Sequence, residues 1–212
     1  MKISDQERYA LLNDYENQAR QAGYQAIAGV DEAGRGPLAG PVAAAAVILD
    51  PDRPILGLND SKKLSEMKRE SLYNQIQAQA LAWSVVLVDA AEIDRINILQ
   101  ATKQAMRQAI AGLSLTPDLL LIDAVELDQV RGDVWPIIKG DAKSNSIAAA
   151  SILAKVTRDR LMHQLDTVYP GYGFARHKGY GTAQHYDAIR QFGLTPIHRL
   201  TFLKSLAKHD HA

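Results

Sequence analysis

The chain predicts an α/β fold: a mixed sheet flanked by helices, with a helical segment at the C-terminal end. Three observations carry that prediction. Short apolar runs of strand length alternate with longer stretches of helical periodicity. One run, Val42 to Leu49, is apolar on both faces and so belongs inside a sheet covered on both sides. A long alanine-rich stretch, 145 to 168, stops before Pro170 and leads into two Gly-Tyr-Gly triplets rather than another strand.

Taken in order, Ser4 and Glu7 have capping-box spacing and open a helix that the pattern carries to about Arg20, with Gly23 as its stop. Leu11, Leu12, Tyr15 and Ala19 recur on one face and are assigned to the core side. Gln25 to Val30 is a first strand, joined to Val42–Leu49 by a loop from Glu32 to Pro41. Pro51 and Pro54 break the pattern, and the polar turn Asn59 to Lys63 leads into a helix from about Ser65 to Gln79. The β-branched content of Trp83 to Val88 predicts a third strand. A helix from Ile98 to Leu113 passes through Pro117 to a short buried strand, Leu119 to Ile122, that stops at Asp123. Val134 to Ile138 is a further strand candidate. Beyond the long helix, Thr182 caps a helix to Gln191 that Gly193 closes, and a last helix covers Thr201 to Leu206. Neither repeat nor linker interrupts the chain, so 1–212 is expected to be one domain. Its α/β core spans about 25–168 and its helical segment about 169–212.

Composition bounds the function. At 212 residues and 47% hydrophobic content, the chain can bury a core without help from disulfides or metals. It has no cysteine, which excludes thiolate metal sites and fits a reducing cytoplasm. The polar N-terminus has no signal core, and no apolar run approaches the roughly 20 residues of a membrane span. A soluble, cytoplasmic monomer without a membrane partner is the expectation. Formal net charge is zero, which argues at first against a nucleic-acid partner. The distribution is less neutral: residues 139–208 hold eleven Lys and Arg against four acids.

Chemistry gathers where strands end. Asp31 and Glu32 follow the first apolar strand, and Gly34-Arg35-Gly36 comes almost at once. Two adjacent charges beside a core are costly to retain, and glycines let backbone N–H groups approach a phosphate. Asp123 ends another strand, and ligands of open α/β sheets collect outside such ends. If the two strands are neighbours, Asp31 and Asp123 face each other. Asp141 follows Gly140 just before the long helix, whose N-terminal dipole favours an ionised carboxylate. A strand-end Asp is also an ordinary turn or cap residue, so Asp123 or Asp141 alone says little. Together the four acids repel one another unless a cation is present, and oxygen-only ligands select Mg²⁺ or Mn²⁺ over zinc. The pattern predicts a metal-dependent phosphodiester site.

Five blocks carry a family resemblance: Gly29-Val30-Asp31-Glu32-Ala33-Gly34-Arg35-Gly36-Pro37, Asn59-Asp60-Ser61-Lys62-Lys63-Leu64, Lys139-Gly140-Asp141, the run from Ala149 to Asp159, and His177-Lys178-Gly179-Tyr180. In this order they resemble the signature blocks of bacterial ribonuclease HII. The resemblance implies a ribonuclease H-like core, a five-stranded mixed sheet flanked by helices, with a C-terminal helical segment closing over the substrate. It implies endonucleolytic hydrolysis of RNA in RNA/DNA hybrids and incision at single ribonucleotides in duplex DNA. The family's four metal-site acids fall on Asp31, Glu32, Asp123 and Asp141. Two cations about 4 Å apart would activate a water and stabilise the departing 3′ oxygen, leaving 5′-phosphate and 3′-hydroxyl ends. Backbone groups of Gly34, Arg35 and Gly36 resemble the family's reader of the ribose 2′-hydroxyl, and Tyr180 resembles the tyrosine that stacks on the next sugar. Ser61, Lys62, Lys63, Lys143 and Lys178 are expected to hold phosphates, which positions rather than specifies. Ser205 to Ala212 contains no recognisable clamp-binding motif, so a sliding-clamp partner is not expected.

Two rivals stand beside this reading. Another two-metal nuclease or resolvase of the same core fold would use similar acids without the ribose reader. A non-catalytic junction-binding module would use the basic C-terminal half alone. A small-molecule phosphotransferase is disfavoured, because no glycine-rich loop ending in Gly-Lys-Ser/Thr follows a strand.

Overall fold

The computed structural model describes residues 3–123 and 125–203. The capping box forms: Ser4 N donates to Glu7 Oε2 at 2.7 Å and Glu7 N to Ser4 Oγ at 3.2 Å. The single helix expected to Arg20 is instead two, α1 (Asp5–Leu12) and α2 (Asp14–Gln21), because the chain bends at Asn13. The Asn13 amide bonds to the Ala10 carbonyl, which leaves the Tyr9 carbonyl for the side chain of Asn145, 2.9 Å away. The bend rotates the apolar face, so Leu11 is 67% exposed whereas Leu12 and Ala19 are buried as expected.

Strand β1 (Ile27–Ala33) starts later and ends later than expected, and takes Asp31 and Glu32 into the sheet itself. Its start is set by Asp118, whose carboxylate accepts the amides of Gln25 at 2.8 Å and Ala26 at 3.0 Å. Its end is carried out by the antiparallel partner β2 (Val42–Ile48), where Asp31 lies opposite Ala45 and Ala33 opposite Ala43. Every β2 residue is buried, as its two-sided apolar pattern requires. The edge strand β3 (Ala82–Val88) pairs antiparallel with β2. On the other side of β1 come β4 (Leu119–Asp123) and then β5 (Asp133–Ile137), both parallel. The order is β3-β2-β1-β4-β5, and Pro136 is tolerated because β5 is an edge.

Ser65 caps α3 (Glu66–Gln79). A helix absent from the sequence reading, α4 (Ala90–Ile96), is capped by Asp89 and separated from α5 (Ile98–Ala111) by Asn97 at φ +71°. One sheet face packs on α5 through Val30, Ala44, Ala46 and Leu120. The other packs on α3 and on α6 (Asn145–Val168) through Ala43, Ala45 and Val47. The start of α6 lies so close to β1 that a Cβ on Gly29 would overlap the Ser146–Ile147 backbone. Glu16 of α2 anchors this helix start from the buried side, accepting Ser144 Oγ at 2.6 Å and Ser146 N at 2.9 Å.

Beyond α6, a short helix, α7 (Phe174–His177), precedes α8 (Ala183–Phe192), which Thr182 caps as expected. The expected last helix begins as a 3-10 turn, Leu200–Phe202, and its continuation to Leu206 lies outside the described residues, as does segment 205–212 with its clamp-motif question. No helix among the described residues is long and apolar enough to cross a membrane.

Candidate active site

Parallel pairing sets Val30 beside Ile122, which brings Asp31 and Asp123 out together at the C-terminal ends of β1 and β4. Asp141 arrives from the 3-10 turn Gly140–Ala142, and the Gly140 amide ties that turn to Asp123 Oδ1 at 2.8 Å. One carboxylate oxygen from each of Asp31, Asp123 and Asp141 lies within 4.8 Å of the others. Glu32, the fourth expected acid, stands outside this trio because successive strand side chains leave opposite faces. Its Oε1 pairs with Arg35 at 3.3 Å, and its Oε2 is buried with no hydrogen-bond partner among the described residues.

Burial, followed by the charge of Glu32, pushes Asp31 well above the usual carboxylate range, and Asp123 and Asp141 add to the shift. Glu32 is raised by burial against the opposing pull of Arg35. Asp141 is raised by burial and then by Asp60, a fifth acid. Asp60 caps the 3-10 turn Ser61–Lys63, accepting Lys62 N at 3.0 Å. In sequence Asp60 reads as part of a polar turn, and only the fold reveals that this turn faces Asp141.

Asp31, Glu32, Gly34, Arg35, Gly36, Ser61, Lys62 and Tyr180 line one cleft of about 290 Å³. Tyr180 stands at the rim, 46% exposed, and a Cβ on Gly36 would meet its Cε1 at 3.6 Å. The other expected phosphate holders are not in the cleft lining. Lys63 turns to Asp60 at 3.7 Å, Lys143 points to solvent, and Lys178 bonds His163 Nε2 at 2.7 Å and the Ala175 carbonyl. Burial lowers the Lys178 ammonium. Lys155 does line the cleft, paired with Asp159 at 2.8 Å. Its i,i+4 spacing to Asp159 reads in sequence as an ordinary helix-face pair, which hides it.

The donor set suits a hard divalent cation. It is all oxygen, it is crowded enough that its charges raise the proton affinity of Asp31 and Asp141, and an orphaned buried oxygen on the neighbouring Glu32 adds a further candidate donor.

A five-stranded sheet of this order, with acids converging at the ends of its central parallel strands beside a glycine-rich cleft, defines a metal-dependent nuclease of the ribonuclease H fold. The family model described as Ribonuclease HII matches residues 28–205, and the chain belongs to that family. A relative from Acetivibrio thermocellus, Ribonuclease HII, is 57% identical over 198 residues, covering 93% of this chain and 77% of the relative. Among solved structures, the ribonuclease H2 from Pyrococcus horikoshii OT3 matches with a TM-score of 0.74 at 27% identity, over 88% of this chain and 99% of that one. The RNase HII of Archaeoglobus fulgidus, solved in complex with PCNA, matches with a TM-score of 0.68 at 27% identity, over 83% and 94%. The chain is a ribonuclease H, a metal-dependent endonuclease of the hydrolase class that takes nucleic acid as substrate.

Proposed function

We propose that Asp31, Glu32, Asp123 and Asp141 hold Mg²⁺ or Mn²⁺ and that the adjoining cleft selects the ribose at which the chain is cut. The substrates are RNA/DNA hybrids and duplex DNA carrying single ribonucleotides, incised on the 5′ side to leave 5′-phosphate and 3′-hydroxyl ends. The observation that carries the reading is the meeting of three carboxylates within 4.8 Å beside the Gly34–Gly36 loop. Divalent cations held there supply Lewis acidity and a water of lowered pKa. The protein's own part is positional: rigid parallel strands aim Asp31 and Asp123, and the Gly140 amide holds the Asp123 carboxylate in line with Asp141. Lys62 and Ser61, which line the cleft, would hold a phosphate, and Tyr180 at its rim would stack on the next sugar. The whole chain acts as one type-2 domain, a cytoplasmic monomer, with the helical segment closing over the duplex.

The test is cleavage of matched duplexes with zero, one and several ribonucleotides, with Mg²⁺, with Mn²⁺ and with chelator. Metal-dependent cutting of the ribonucleotide-bearing duplexes only is expected, with Asp141→Asn abolishing cleavage while binding persists. Equal cutting of all-DNA duplex would favour a different two-metal nuclease. Full activity in Asp141→Asn would remove the acid cluster from catalysis.

A further inference from the structure

Arg199 is fully buried, yet among the described residues none of its hydrogen bonds is to a carboxylate. Its guanidinium donates to three backbone carbonyls: Nε to Gly40 at 3.0 Å, one terminal nitrogen to Arg35 at 2.9 Å and the other to Gly34 at 2.7 Å. Arg158 lies beside it in the same manner, donating to Pro41 and Ala39 at 2.8 and 3.1 Å. Burying an unpaired guanidinium is expensive, so this arrangement must accomplish something that an apolar side chain would not.

What it accomplishes follows from peptide geometry. Both peptides are trans, so each carbonyl points opposite to the amide of the next residue. Turning the Gly34 and Arg35 carbonyls onto Arg199 turns the Arg35 and Gly36 amides away from it, on a loop whose residues Gly34, Arg35 and Gly36 line the cleft. Neither amide donates to a protein acceptor among the described residues. Gly34 sits at φ +91°, a conformation glycine adopts freely, so side-chain sterics alone do not hold the loop. Arg199 itself is held by the backbone: its amide donates to Leu38 at 2.8 Å, and the Gly40 amide donates to Ile197 at 2.8 Å, forming a β-bridge across Ala39 and His198.

We infer that Arg199 is a specificity-determining positioning residue, a buried fork that orients the Arg35 and Gly36 amides toward the 2′-oxygen of the ribose. The inference rests on the reading of the Gly34–Gly36 loop as sugar reader and adds what aims it. It requires arginine, because a lysine ammonium is a point charge and cannot span three carbonyls in one plane.

The experiment compares single-turnover cleavage, in Mn²⁺, of two duplexes that differ at one position, a ribonucleotide or a 2′-fluoro nucleotide, for wild type and Arg199→Lys. The readout is the ratio of the two rates, which does not depend on how much of a variant is folded. In Arg199→Lys the ratio should fall about tenfold or more, as expected for loss of aimed hydrogen bonds, with the metal titration midpoint unchanged. Met106→Ala, a buried core change on the far face of the sheet, should lower stability and leave the ratio alone. An unchanged ratio in Arg199→Lys reduces Arg199 to a structural residue and overturns the inference. A second measurement needs only wild type: hydrogen exchange at the Arg35 and Gly36 amides should slow on binding the ribonucleotide duplex and not the all-DNA duplex, and equal protection by both overturns the inference. A wild type that cuts both test duplexes equally removes the sugar-reading function itself, and the inference with it.

Discussion

Acid should loosen the C-terminal segment through His185. This ring is fully buried, stacked on His177 at 4.6 Å between centroids and edge-on to Phe174 at 5.4 Å. The partners assign neutral tautomers all along the chain of rings. Thr195 N donates to His198 Nδ1 at 2.9 Å, His198 Nε2 donates to His185 Nε2 at 3.1 Å, and His185 Nδ1 donates to the Tyr180 carbonyl at 3.0 Å. Alongside, His177 Nε2 donates to the Tyr172 carbonyl at 2.7 Å and its Nδ1 accepts the Gly179 amide at 3.2 Å. None of these partners is a carboxylate, so an added proton would have no counter-charge and would cost one of the bonds. Burial accordingly lowers His185 to about 4 from 6.5, and pushes His198 down as well. With the folded value depressed, the unfolded chain takes up the proton first as pH falls through about 6.5, so the stability is intact above that pH and is lost progressively toward about 4. Between pH 7.5 and pH 5.0 His185 alone should remove about 2 kcal/mol. Urea unfolding of wild type and His185→Gln at both pH values, in chelator, measures it. Wild type should lose about 2 kcal/mol more than the variant over that interval, and the contributions of the site acids cancel in the difference. Identical pH dependence in the two proteins would refute the reasoning, and with it the picture of Tyr180 held by a neutral imidazole chain.

Two further outcomes follow from packing and charge. Gly29→Ala should destabilise by about 3 kcal/mol, measured by thermal or urea denaturation, because its methyl meets the Ser146–Ile147 backbone rather than a movable side chain; a neutral result would mean that α6 can shift from β1 at little cost. Divalent cations should raise the melting temperature, a concentration one hundred times Kd contributing about 2.7 kcal/mol, whereas Asp31→Asn should be more stable than wild type in chelator and gain little from metal, since it relieves the repulsion that the cation otherwise offsets. Equal metal responses in scanning calorimetry would place the cation elsewhere.

Local signals were sufficient wherever neighbouring residues decide the outcome. The Ser4–Glu7 box, the Ser65 and Thr182 caps, the two-sided apolar run of β2 and both ends of α6 follow from propensity, capping and periodicity within a few residues. The acids at 31, 123 and 141 were legible because charges placed at the ends of apolar strands, or just before a helix, are conspicuous whatever the fold. The bend at Asn13 was not legible, since its cause is a side chain at Asn145. The split of Asp31 from Glu32 was equally hidden: pairing with Ala44 and Ala45 extends β1, and only strand geometry sends the two acids to opposite faces. Lys63, Lys143 and Lys178 do not line the cleft in the fold: Lys63 pairs with Asp60, Lys143 is exposed and Lys178 bonds His163. Sequence by itself therefore determined most of the elements, the family's signature blocks and the acids at strand ends, because each rests on short-range chemistry, whereas α4 and the break between α1 and α2 do not. Tertiary structure alone decided which charges share a cleft and that Arg199 lies beneath the Gly34–Gly36 loop, because a guanidinium and a carbonyl some 164 residues apart meet only through the folded chain.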